Sequence, residues 1–194
     1  MKNKNIKLGL FSLLLSGLSV LANAANIAYV AKTGPGASVG DGKQWPTNRF
    51  VVNGDCIIDN LTGLMWPKNA SLLGTGYMSY NSAAPGSVLY KINQMNTNSA
   101  AAGYHLCGYS DWRLPNISEL RSLVNYTAFQ NGSTPAAWLN SQGFSNFKDG
   151  SYYSSTGWAG RNNSYSVQFA TGQILEIGSI DKYVLNFLPV RGGQ

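Results

Sequence analysis

An α+β domain closed by one disulfide is the fold this sequence predicts. Three observations carry that reading. β-prone segments stand at both ends of the region after residue 48, two helical signatures lie between them, and the chain holds only two cysteines, Cys56 and Cys107. With 194 residues, 44% hydrophobic and 11% charged, the composition supports a globular core and excludes disordered, coiled-coil and collagen-like chains.

The first residues stand apart from that core. Lys2, Lys4 and Lys7 precede an apolar run from Leu8 to Leu21, followed by the small-x-small triplet Ala22-Asn23-Ala24. This is the pattern of a signal peptide over residues 1–24. The run is short for a membrane span, and Ala25 stands where a lipoprotein needs Cys, so the expected product is exported without a membrane anchor, periplasmic or at the cell surface or released. Residues 25–48, with Gly34-Pro35-Gly36 and Gly40-Asp41-Gly42, lack periodicity and predict an extended arm before a domain over 49–194. Three of the 14 basic residues leave with the leader, so eleven face eight acidic ones and the net charge falls from +6 to +3. No basic run remains that reads as a nucleic-acid patch.

Within the domain, Phe50-Val51-Val52 and Cys56-Ile57-Ile58 flank Asn53-Gly54, a pair suited to a hairpin turn with positive φ at both positions. Thr62-Gly63 turns the chain into Leu64-Met65-Trp66. A long irregular stretch is expected over residues 67–86. Leu89, Ile92 and Met95 then follow helical spacing, continued through Ala100-Ala101-Ala102 to a stop at Gly103. Asn116 as N-cap, Glu119 three residues on, and Ile117, Leu120 and Val124 as an apolar stripe mark a second helix. Residues 126–150 read as loop with an apolar island at Ala136-Ala137-Trp138-Leu139. Tyr152 to Thr156, the alternating Tyr165, Val167 and Phe169, Ile174 to Ile177 across a Thr171-Gly172 turn, and Tyr183 to Arg191 read as strands. The terminal strands are expected to meet in one sheet. An oxidising compartment and the lack of a third thiol pair Cys56 with Cys107.

Four stretches stand in a specific order: Asp59-Asn60-Leu61-Thr62-Gly63-Leu64-Met65-Trp66; Cys107-Gly108-Tyr109-Ser110-Asp111-Trp112-Arg113-Leu114-Pro115-Asn116 with Glu119-Leu120; Tyr153-Ser154-Ser155-Thr156; and Pro189-Val190-Arg191-Gly192-Gly193. In that order the chain resembles the Lcl C-terminal-domain family of bacterial exported proteins. The resemblance implies a C-type-lectin-like fold, mixed or antiparallel sheets with two helices and long loops. In the collagen-like adhesin that names the family it implies attachment through sulfated glycosaminoglycans. This chain has no Gly-X-Y tract and no obvious cluster of Lys and Arg.

As chemistry, the run from Asp111 to Asn116 reads as architecture. Trp112 and Leu114 fill the core, Pro115 ends an extended entry, Asn116 caps a helix, and Asp111 or Arg113 enters a buried hydrogen-bonded pair. Trp66 reads as core. A ligand is expected at Trp158, Arg161, Asn162, Asn163 and Tyr165, which combine flat apolar faces with bidentate polar groups, as saccharide recognition requires. Tyr77, Tyr80, Asn81 and Tyr90 form a weaker second surface. No catalytic residue is expected, because His105 is the only histidine and no triad is defined without geometry. No cofactor or metal is expected either: two Cys and one His lack zinc spacing, and no calcium-loop pattern occurs. The expected role is a non-catalytic, adhesin-like binding module for a glycan or another extracellular polymer, sulfated ones included. The alternative is an envelope structural or protein-interaction domain, with homo-oligomers allowed.

Overall fold

The computed structural model describes residues 45–79, 81–157, 162–178 and 181–192. The expected leader, and the arm up to residue 44, lie outside the described residues. The described residues fold into two sheets, three α-helices, long loops and one disulfide, an α+β architecture. β1 (Phe50–Asn53), β2 (Cys56–Asp59) and β3 (Leu64–Pro67) form an antiparallel sheet in sequence order. The hairpin falls where its flanking apolar residues put it, but its register pairs Asn53 with Cys56, so the turn is Gly54-Asp55 rather than Asn53-Gly54. Of those two residues only Gly54 takes a left-handed φ, +60°, a conformation that costs glycine nothing.

A second sheet has the order β4 (Thr75–Tyr77), β8 (Val184–Asn186), β5 (Ser151–Tyr153), β6 (Asn163–Gln168), β7 (Gln173–Gly178). Its pairings are antiparallel except β5 with β8. β4 lies inside the stretch expected to be irregular. The terminal strands therefore belong to different sheets, and the expectation of one shared sheet is corrected. What joins the sheets is a pair of isolated antiparallel bridges, Met65 with Arg191 and Arg113 with Val190.

Among the described residues three α-helices appear where two were expected. α1 (Val88–Thr97) is capped by Ser87, whose Oγ accepts from the Tyr90 N–H, and it buries Val88, Ile92 and Met95. It stops well before Gly103, because the Asn98 side chain accepts from the Ala100 N–H and offers the backbone a turn in place of another helical step. α2 (Ile117–Ser122) has the full capping box: Asn116 accepts from the Glu119 N–H, and the Glu119 carboxylate accepts from the Asn116 N–H. α3 (Pro135–Ser141) replaces the expected loop. Thr134 caps it, Pro135 opens it, and Ala136 and Leu139 are buried. Seven residues give too few apolar repeats for a period to emerge.

Successive residues of a strand point to opposite faces, and here both faces are covered. Tyr152 enters a core with Ile57, Trp66, Leu120, Leu139 and Phe169. Its neighbour Tyr153 enters a second core with Cys56, Met95, Trp112 and Phe187. Burial pushes both phenols up to about 12. The disulfide Cys56–Cys107 joins β2 to the loop after α1, closing a span of 51 residues with Cα atoms 6.4 Å apart.

At the entrance to β1, Arg49 makes a buried bidentate pair with Asp59, Nε to Oδ1 at 2.9 Å and Nη2 to Oδ2 at 2.8 Å. Nη2 also donates to the Ser122 carbonyl at the end of α2. The guanidinium lies against the Trp45 and Phe50 rings, 4.2 and 4.6 Å from their centroids. Removing one partner of such a pair strands the other charge away from water. We expect Arg49→Ala to lower the unfolding free energy by about 3–5 kcal/mol, measured by urea denaturation, and the paired replacement Arg49→Met with Asp59→Leu to cost less than Arg49→Ala alone.

Candidate functional site

The four ordered sequence stretches meet in space. Arg113 and Val190 exchange backbone hydrogen bonds of 2.9 and 2.8 Å, and Met65 and Arg191 exchange two of 3.0 Å. The Ser155 N–H donates to the Pro115 carbonyl at 2.8 Å, and Thr156 Oγ1 accepts from the Ile117 N–H at 3.0 Å. Trp66, Trp112 and Pro115 are buried, while Asn116 sits exposed at its helix cap.

Asp111 and Arg113 take other partners than a buried pair of their own. Arg113 makes a bidentate contact with Glu119, 2.8 and 2.6 Å, and donates to the Gly192 carbonyl. Asp111, exposed, is held by Arg191, with Nε to Oδ1 at 2.7 Å and Nη2 to Oδ2 at 3.2 Å. The hydrogen bond from Arg191 holds the Asp111 carboxyl below the usual aspartate value, against the effect of its slight burial. Burial raises the Glu119 carboxyl, but the Arg113 hydrogen bond and charge and the Asn116 N–H outweigh it, and the net direction is down.

Of the expected ligand residues, Trp158 and Arg161 lie outside the described residues, as does Tyr80 of the second surface. Asn163 is buried in β6 and donates to Glu176 Oε1 at 2.6 Å across the β6–β7 ladder. Tyr165 is half-buried on the same strand. Asn162 is exposed, and its amide reaches Asp181 Oδ1 at 3.4 Å. From Asp181 the chain passes Tyr183, 53% exposed, to Val184, 62% exposed, which pairs with Tyr77 across β8 and β4. Cross-strand partners share a face, so residues 181–184 link the first expected surface, through Asn162, to the second, through Tyr77.

Sequence reasoning missed this linking segment. Its signal was faint: Asp181-Lys182 sets two charges before an aromatic and a β-branched residue, and nothing local tells which face of the strand is open.

A second exposed group surrounds the disulfide. His105 and Cys107 both adopt left-handed φ, 46° and 54°. The His105 ring stacks on Tyr104 with centroids 3.8 Å apart, and its Nε2 lies 3.1 Å from the Asn96 carbonyl. Tyr109 follows, with the Arg191 guanidinium 3.5 Å from its ring centroid.

The family model of the Lcl C-terminal domain matches residues 55–188. The chain belongs to the Lcl C-terminal domain family. This is a family of adhesin-associated domains. A comparison with curated proteins finds no match. In this Lcl C-terminal domain, the residues of the four stretches form a hub that joins two sheets and α2. Among the described residues, no group of three or more His, Cys, Asp or Glu is placed to hold a metal ion, and no helix is long and apolar enough to cross a membrane.

Because the Glu119 carboxyl titrates below its ordinary 4.5 in the folded protein, its contribution to stability is complete above that pH and is lost as the pH falls through the lower folded value. We expect Glu119→Gln to cost about 1–2 kcal/mol near neutral pH and to flatten the acid limb of the stability profile, read from urea midpoints across the acid range.

Proposed function

We propose that this chain is an exported, non-catalytic binding module that recognises a glycan or another extracellular polymer in an adhesive role. Membership of an adhesin-associated family supports the class. One observation supports the polymer reading above others: residues 181–184 join the Asn162 and Tyr77 surfaces into one exposed tract carrying an amide, a carboxylate and apolar side chains. A sugar presents apolar C–H faces beside hydroxyl groups, and such a tract offers both kinds of contact. An extended tract also suits a repeating ligand, because each repeat adds a contact to the same chain. The charge balance fits a weakly basic module with a net +3 after loss of the leader, which provides only mild attraction to polyanions.

The test is a glycan array probed with the purified, oxidised protein, with Asn162→Ala and Tyr183→Ala alongside. Saccharide binding that falls about tenfold or more in either variant supports the reading and its placement. An array without any bound saccharide overturns it in favour of a protein partner.

A further inference from the structure

We propose that Tyr109, Asp111 and Arg191 form a second subsite, distinct from the 181–184 tract, for a neutral saccharide; the proposal rests on the glycan reading above. The three side chains are linked in a fixed order. The Arg191 guanidinium stacks on Tyr109 at 3.5 Å from the ring centroid and turns its Nε and Nη2 edge to Asp111. Its remaining nitrogen, Nη1, finds only the Met65 thioether at 4.0 Å among the described residues, a weak acceptor for a charged donor. Asp111 is 59% exposed, each of its oxygens accepts one hydrogen bond from Arg191 and its own backbone N–H adds one more, which leaves acceptor capacity on the carboxylate for a ligand. Tyr109 stays 38% exposed with the guanidinium on its ring. The set therefore offers a hydrogen-bond donor, a carboxylate acceptor and an aromatic surface side by side. That is the complement of a hydroxyl pair on a sugar ring with its C–H groups beside it.

Charge selects the class of sugar. Arg191 is already neutralised by Asp111, as Arg49 is by Asp59 and Arg113 by Glu119. A sulfate placed at Arg191 would lie against the Asp111 carboxylate, whereas a hydroxyl donates to it. The loop is also held in place before any ligand arrives. His105 and Cys107 carry left-handed backbone, the Gly108 N–H donates to the His105 carbonyl at 2.7 Å and the Tyr109 N–H to the Leu106 carbonyl at 3.2 Å, and Cys107 is bonded to Cys56. Left-handed φ at non-glycine residues persists only where the surroundings impose it. A preformed loop spares a ligand the entropy of ordering it.

The test titrates the full, oxidised chain with neutral gluco-, galacto- and manno-oligosaccharides and with chondroitin sulfate, at low and high salt, for the parent and for Tyr109→Ala, Tyr109→Phe and Asp111→Asn. Thermal midpoints are recorded for each. The expected result is neutral-oligosaccharide binding that hardly changes with salt, weakens about tenfold or more in Tyr109→Ala and Asp111→Asn, and survives in Tyr109→Phe, which keeps the ring. Binding that withstands both Tyr109→Ala and Asp111→Asn overturns this subsite and leaves the glycan reading standing. So does a preference for chondroitin sulfate that high salt abolishes, or weakened binding that only follows a lowered thermal midpoint. Failure of every saccharide to bind overturns the glycan reading itself, and this subsite with it.

Discussion

Asp59 has no contact with solvent, so its negative charge is tolerable only because Arg49 sits against it. That one requirement organises a large part of the molecule. The carboxylate also accepts from the Leu61 N–H and the Thr62 hydroxyl, which shapes the turn between β2 and β3 and so delivers Trp66 to the core. The guanidinium, in turn, holds the last residue of α2 through the Ser122 carbonyl and lies against Trp45 and Phe50. The approach to β1, the first sheet and α2 are thus fixed by a single charge pair whose partners are ten residues apart in sequence.

The second organising contact lies at the other end of the chain. Val190 and Arg191 bridge to Arg113 and Met65, and Gly192 accepts from Arg113, so the closing residues of the fold lie between strand β3 and the entrance to α2. Adjacent contacts rest on this arrangement: Arg191 can reach both Asp111 and Tyr109 because its backbone is anchored to Met65. The side chains that face solvent there are placed by a buried ladder rather than by the loop alone.

What could be read from the sequence was what is decided locally. The β1–β2 hairpin follows from two short apolar runs around a turn, and the α2 capping box from Asn116 and Glu119 three residues apart. The disulfide followed from arithmetic on two cysteines. β4 and α3 escaped because each is short and depends on distant partners: β4 on β8, more than a hundred residues later, and α3 on apolar contacts to the first core. The same limit applied to the surface. Asn162 was readable as polar and flexible in kind, but its neighbour Asp181 comes from another strand connection, and Asn163 looked like a ligand group until the fold gave it Glu176. Arg191 stood in one of the four ordered stretches, yet its pairing with Asp111 spans 80 residues and no local pattern encodes it.

The bridges made by Val190 and Arg191 bear on how the chain comes to be folded at all. Val190 and Arg191 pair with Arg113 and Met65, the latter 126 residues away, so the core that holds Met65 and Trp112 is completed only once that intervening chain is in place. Long sequence separation between contacting strands slows folding, since the intervening chain must be ordered before the contact repays it. The three-stranded sheet and the covalent link lie within residues 50–107 and can form without that wait, whereas their union with the second sheet depends on the segment that follows β8.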